Sequence, residues 1–197
     1  MLNCFFSNNF ENRAELFEGL SIWQEEKYQK LQGTYPVIFL SFAGIKENTY
    51  EDTCDKIKEC IFVEYQRYKH ILKYSMFDEN DWNYFGQISE NMSNVVATTA
   101  IKKLAELLFH YYGKKVIILL DEYDTPLQEA YVSGFWKELV GFTRSLFNNT
   151  FKTNPYLERG IMTGITCVSK ESIFLNLNNL EVITTTSNKY ATCFGFT

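Results

Sequence analysis

The sequence predicts an α/β domain built on a mostly parallel sheet with helices on both faces. Two short, continuously apolar runs support this, Pro36–Phe42 (PVIFLSF) and Lys115–Leu120 (KVIILL). Runs of this kind suit strands buried on both faces. Between and after them lie longer stretches with helical periodicity, so strands alternate with helices instead of pairing through hairpins. The residues just past the strands turn polar, which is where such sheets carry their working loops.

The first strand, Pro36–Phe42, is bounded by Gly33 and Gly44. A long helix is expected from about Tyr50 to Tyr74, because Tyr50, Cys54, Ile57, Ile61, Tyr65, Tyr68 and Ile71 recur at three- and four-residue steps and share one face. Asn80–Glu90 is ambiguous between a short helix and a loop. The next helix covers about Val95–Tyr112, where Ser93 or Asn94 can cap its first amides and Gly113 stops it. Ile101, Leu104, Leu108 and Tyr111 form its inward stripe. Lys115–Leu120 then reads as the central strand. A third helix, about Phe135–Asn149, turns Phe135, Leu139, Phe142 and Leu146 inward. Arg159–Ile165 (RGIMTGI) is expected as the next strand and Glu181–Thr186 (EVITTT) as a further one. The candidate loops are therefore Asp121–Pro126 and Thr163–Lys170.

Bulk properties narrow the function. A chain of 197 residues with 46% hydrophobic and 22% charged residues is that of one globular domain. A net charge of -5 and a pI near 5.2 argue against direct nucleic-acid binding, which needs a basic face. The one basic grouping, Lys102, Lys103, Lys114 and Lys115, reads as solvated surface. The five cysteines, Cys4, Cys54, Cys60, Cys167 and Cys193, form no CxxC pair and have only His70 and His110 beside them. That pattern supports neither a zinc site nor a disulfide framework, and free thiols point to a reducing, cytoplasmic setting. No apolar run approaches the ~20 residues a membrane span requires.

The chemistry lies at the end of the central strand. Val116–Leu120 is followed by Asp121 and Glu122. An apolar strand delivers its first acid to a fixed point at the sheet's edge, where it can hold Mg²⁺ through water. The second acid can polarise an attacking water as general base. Asp124 can add to the metal cluster. Taken alone, the pattern more often marks a buried strand ending at a turn, with Thr125-Pro126 setting the turn.

The wider text is more specific. Lys115–Leu127, KVIILLDEYDTPL, resembles the Walker B segment of the bacterial and archaeal AAA-ATPase-like family. The resemblance continues through Gly160–Thr166, Val168–Phe174, Leu177–Leu180 and Tyr190–Thr197, and includes Leu16–Leu20. Longer members look like a P-loop ATPase domain followed by a PD-(D/E)XK-type nuclease domain. The resemblance implies a three-layer, P-loop NTPase-like sheet, with Thr163 and Thr166 as candidate nucleotide contacts and Asp121 and Asp124 as metal ligands.

Two departures shape the expected function. The family's phosphate loop, ending in Gly-Lys-Thr/Ser, should lie just before a segment like Met1–Phe6, where this chain starts. Gly113-Lys114 precedes a strand, the wrong context for a phosphate cradle. Cys167 stands where family members carry Arg, a residue worth about 10³-fold or more when it acts as an arginine finger. The expectation is a single truncated ATPase-like domain over residues 1–197, without the P-loop strand and without a nuclease. Its absent strand belongs beside Arg159–Ile165, so an open edge should take a protein partner or a second copy unless Glu181–Thr186 closes it.

The expected function is thus a non-catalytic interaction module needing no cofactor, for example an inhibitor of a nucleic-acid-handling nucleoprotein or defence complex. The alternative is a Mg²⁺-dependent nucleotide-binding protein or ATPase. There Asp121 would hold the metal and Glu122 would act as base, with the P-loop supplied upstream or in trans. A remnant without function is the third reading.

Overall fold

A computed structural model describes residues 1–73, 77–165, 180–184 and 186–189. The chain opens with helix α1 (Leu2–Phe6) and short 3₁₀ turns, then α2 (Glu26–Gln29) and strand β1 (Val37–Ser41). Helices α3 (Tyr50–Arg67), α4 (Glu79–Gln87) and α5 (Asn94–Tyr112) lead to β2 (Val116–Asp121). Helices α6 (Thr125–Ser133) and α7 (Trp136–Phe151) lead to β3 (Leu157–Met162). The described strands form a three-stranded parallel sheet in the order β1-β2-β3. The protein is thus an α/β fold with a parallel sheet, as its alternating pattern predicts.

Sequence dictates most of these elements locally. Thr49 caps α3 by accepting the Asp52 amide at 3.2 Å, and Ser93 caps α5 through Val96. Gly113 ends α5 with the left-handed backbone (φ 65) that glycine adopts without a side-chain clash. The ambiguous stretch after Asp78 is helical, because Asp78 and Asp81 form a reciprocal capping box at the start of α4. The stripes meet over the sheet: Ile57, Ile61 and Tyr65 of α3, Leu104 and Leu108 of α5, and Leu139 and Leu146 of α7 are all buried.

Four expectations need correction. Helix α3 stops at Arg67, short of Tyr74; the chain tightens into a 3₁₀ turn over Lys69–Lys73. Tyr68 donates its amide to Tyr65 and Ile71 donates to Tyr68, the three-residue bonds of the tighter turn, and all three side chains stay buried. Strand β3 covers Leu157–Met162 instead of Arg159–Ile165, although Thr163 still donates its amide to Leu120. Thr125-Pro126 opens α6 instead of ending in a turn, since proline near the helix start loses no hydrogen bond there. Residues Glu181–Thr184 are exposed and irregular, not a strand: Thr184 closes a turn with Ser187 in place of a ladder.

The two faces of the sheet are unequally covered. Helices α3, α5 and α7 bury one face in the main core. On the other, Val37, Ile117 and Leu119 meet Phe6, Tyr35, Phe39 and Ile161 in a smaller cluster. The cover here comes from the N-terminal segment, pinned by Asn8 and Gly33 bonds to Tyr35 and Phe5. Among the described residues no strand pairs with the outer edge of β3, where Glu158, Arg159 and Gly160 are exposed.

Candidate functional site

Strand β2 is buried from Val116 to Leu120, and Asp121 is its first residue to reach the surface. Its position follows from pairing on both sides. Ser41 is its register partner on β1, and Thr163 follows directly on β3. The backbone is held too: Phe42 donates to the Asp121 carbonyl at 2.9 Å, and Tyr123 donates to the Thr163 carbonyl at 3.1 Å. The side chains then converge. Thr163 Oγ1 donates to Asp121 Oδ1 at 2.6 Å, and Ser41 Oγ approaches Oδ2 at 3.3 Å. Each carboxylate oxygen therefore faces one hydroxyl and keeps lone pairs for a further donor or a cation.

The next residues diverge. Glu122 has a left-handed backbone (φ 49), unique among the non-glycine residues described. That conformation costs roughly 1–2 kcal/mol for a residue with a Cβ. Its carboxylate folds over the first turn of α6, where Thr125 Oγ1 donates to it at 3.1 Å. Asp124 is fully buried, accepts from Gln128 at 2.9 Å, and packs against Gly164. A Cβ on Gly164 would come within 2.5 Å of the Asp124 carboxylate, so this position is shaped by backbone.

A cavity of about 270 Å³ lies beside Asp121, between the end of β2 and α1. Asp121, Thr163 and Asn3 give it polar walls, and Phe39, Leu119 and Ile161 give it apolar ones. The buried Asn3 Oδ1 accepts no hydrogen bond among the described residues. Asp121 and Thr163 are thus brought together, whereas Glu122 and Asp124 do not line the cavity. Thr166 and Cys167 lie outside the described residues. Sequence reading missed Ser41 and Asn3; the only hint of Ser41 was a hydroxyl interrupting an apolar strand.

The donors suit one group and not another. A carboxylate, a hydroxyl and an orphaned amide oxygen around one cavity match a hard, hydrated cation such as Mg²⁺. Among the described residues, no group of three or more His, Cys, Asp or Glu is placed to hold a metal ion. A triphosphate does not fit these residues. The first turn of α6 is met by the Glu122 carboxylate, and Lys114 is turned away, stacked on Tyr35 at 3.6 Å and bonded to Thr34.

No helix among the described residues is long and apolar enough to cross a membrane. No solved structure matches the chain significantly. It is 23% identical over 189 residues to an uncharacterized protein of Azotobacter chroococcum mcd 1, named for the vnfD 5′ region. That match takes in 95% of this chain but 32% of the relative, so the chain spans about a third of the relative's length. Residues 1–174 match the family model described as Predicted AAA-ATPase. The chain belongs to the AAA-ATPase-like family.

Proposed function

We propose that this domain is the metal-and-water side of a Mg²⁺-dependent nucleotide-binding or ATPase site. In this reading β2 is a Walker B strand in a P-loop NTPase-like sheet. Asp121 holds Mg²⁺ through water and Glu122 serves as general base. The phosphates are held by a Gly-Lys-Thr/Ser loop from another segment or another chain. The supporting observation is the Asp121 carboxylate, oriented at the sheet's edge by hydroxyls from both neighbouring strands. A fixed carboxylate loses little freedom when a cation arrives, which favours binding. Magnesium, when bound, supplies electrostatic stabilisation of phosphate charge. Titrating the chain with Mn²⁺ alone, followed by calorimetry, tests this beside Asp121→Ala. Binding lost in the variant is expected; equal heats in both proteins would refute the reading.

The outer edge of β3 supports a second reading, a module that binds a protein partner without turnover. Its exposed Glu158–Gly160 backbone is a template for another strand. Light scattering decides: a concentration-independent monomer, with no protein partner captured, counts against it. Inhibition of a nucleic-acid-handling or defence complex is the form this reading takes for an acidic domain of charge -5.

A further inference from the structure

The two edges of the sheet are not alike. In a parallel sheet, alternate residues of an edge strand aim both backbone groups outward. On β1 the residues facing β2 are fixed by Ile117 donating to Pro36 and Phe42 donating to Asp121. Residues Val37, Phe39 and Ser41 therefore point outward. Three of their backbone groups meet side chains of α3 or of Tyr68, the residue that caps it. Tyr68 donates its hydroxyl to the Val37 carbonyl, Phe39 donates its amide to Glu64 Oε1 at 2.9 Å, and Cys60 Sγ lies 3.8 Å from the Ser41 carbonyl.

The spacing explains why one helix can do this. The contacts step by two along β1 and by four from Cys60 through Glu64 to Tyr68, the residue that caps α3, in opposite directions. Two strand residues advance about 6.6 Å and four helical residues about 6 Å. The helix is thus nearly commensurate with the strand over these three rungs. Glu64 is the middle rung, 3% exposed, and its second oxygen accepts from Arg67 at 2.8 Å. A buried carboxylate is costly unless both oxygens are engaged, and here both are.

We infer that α3 is a surrogate neighbour strand that closes the β1 edge, so any strand added to this sheet pairs at β3. Edge strands left open invite pairing with another chain, and side chains that occupy three of these six outward groups interrupt the template. Glu64 is the positioning residue of this closure, because it takes the one outward amide among the three contacts. An added strand at β1 would have to displace it. The inference stands apart from the nucleotide reading: it needs neither Asp121 nor a metal.

Amide hydrogen exchange of the intact chain tests it directly. The Phe39 amide is expected to be protected at the level of Ile38 and Leu40, which face β2. In Glu64→Ala that protection should fall at least tenfold relative to Ile38 and Leu40, and Glu64→Gln, which keeps the acceptor, should restore it. Rapid Phe39 exchange in the intact chain, or protection unaltered by Glu64→Ala, overturns the inference. A second measurement reads the consequence. Glu64→Ala combined with Tyr68→Phe should show more self-association than the parent chain in light scattering. A natively folded double variant with unchanged mass overturns it; if that variant does not fold, the exchange data on the intact chain decide.

Discussion

Thr163 reaches Asp121 Oδ1 at 2.6 Å across 42 residues of sequence, a shorter link than the one from Ser41 on the opposite strand. The tips of β2 and β3 are therefore tied through side chains as well as through the ladder. Hydrogen bonds to charged groups contribute about 1.5–3 kcal/mol when buried, and this one is partly exposed. A double-mutant cycle of Thr163→Val with Asp121→Asn should give a coupling of about 1 kcal/mol in urea unfolding. The Ser41→Ala cycle should give less. Equal couplings would mean the two hydroxyls hold the carboxylate alike.

Glu122 combines a strained backbone with the expected base. Glu122→Gly should be more stable than Glu122→Ala by about 1 kcal/mol, since only glycine relieves the positive φ. Chemical denaturation of both variants checks this. A more stable alanine variant would mean that the left-handed geometry is not retained in solution.

Gly164 leaves no room for a side chain, with Asp124 and Tyr123 2.5 and 2.9 Å from where a Cβ would stand. Gly164→Ala should cost about 1–3 kcal/mol by overpacking. Gly44, with nothing within 4 Å, is the control, and Gly44→Ala should stay within about 0.5 kcal/mol of the parent. Thermal melts of the two variants compare them.

Burial pushes the Glu64 carboxyl up from its ordinary 4.5, against the opposing pull of the Phe39 amide and Arg67. A raised folded-state value means that the native chain holds its proton more tightly than the unfolded one. The associated stability is present below 4.5 and is lost as pH rises through the raised value. Glu64→Gln cannot ionise, so its urea midpoint relative to the parent should climb as pH rises across that window. A constant difference would mean that the carboxyl titrates equally in both states.

The core was legible because burial imposes periodicity. The runs at Val37 and Val116 are strands, and the stripes Ile101–Tyr111 and Phe135–Leu146 pack against the core as their spacing requires, with Phe135 and Tyr111 partly buried. Helix α6 was not legible, because Thr125-Pro126 serves a turn and a first helical turn equally well. Glu181–Thr184 has β-branched residues yet no neighbour to pair with among the described residues, and strand propensity without a partner builds no ladder. The site was half visible. Asp121 could be placed from the apolar run before it, but Ser41 lies 80 residues away and meets it only through the register of β1 on β2. The positive φ of Glu122 has no signature in its residue type.

The unequal cover of the sheet sets the order in which the domain comes apart. Its well-backed face is held by α3, α5 and α7, whereas the opposite face depends on a thin layer that includes α1 and Tyr35. That layer has its own small aromatic nucleus, Phe5 against Phe17 at 5.0 Å and Phe17 against Trp23 at 5.9 Å. Segments that bury little apolar surface open at lower free energy than the global transition. The first 35 residues are therefore expected to open before the three-helix side, and the cavity that Met1, Leu2 and Asn3 help to line would widen with them.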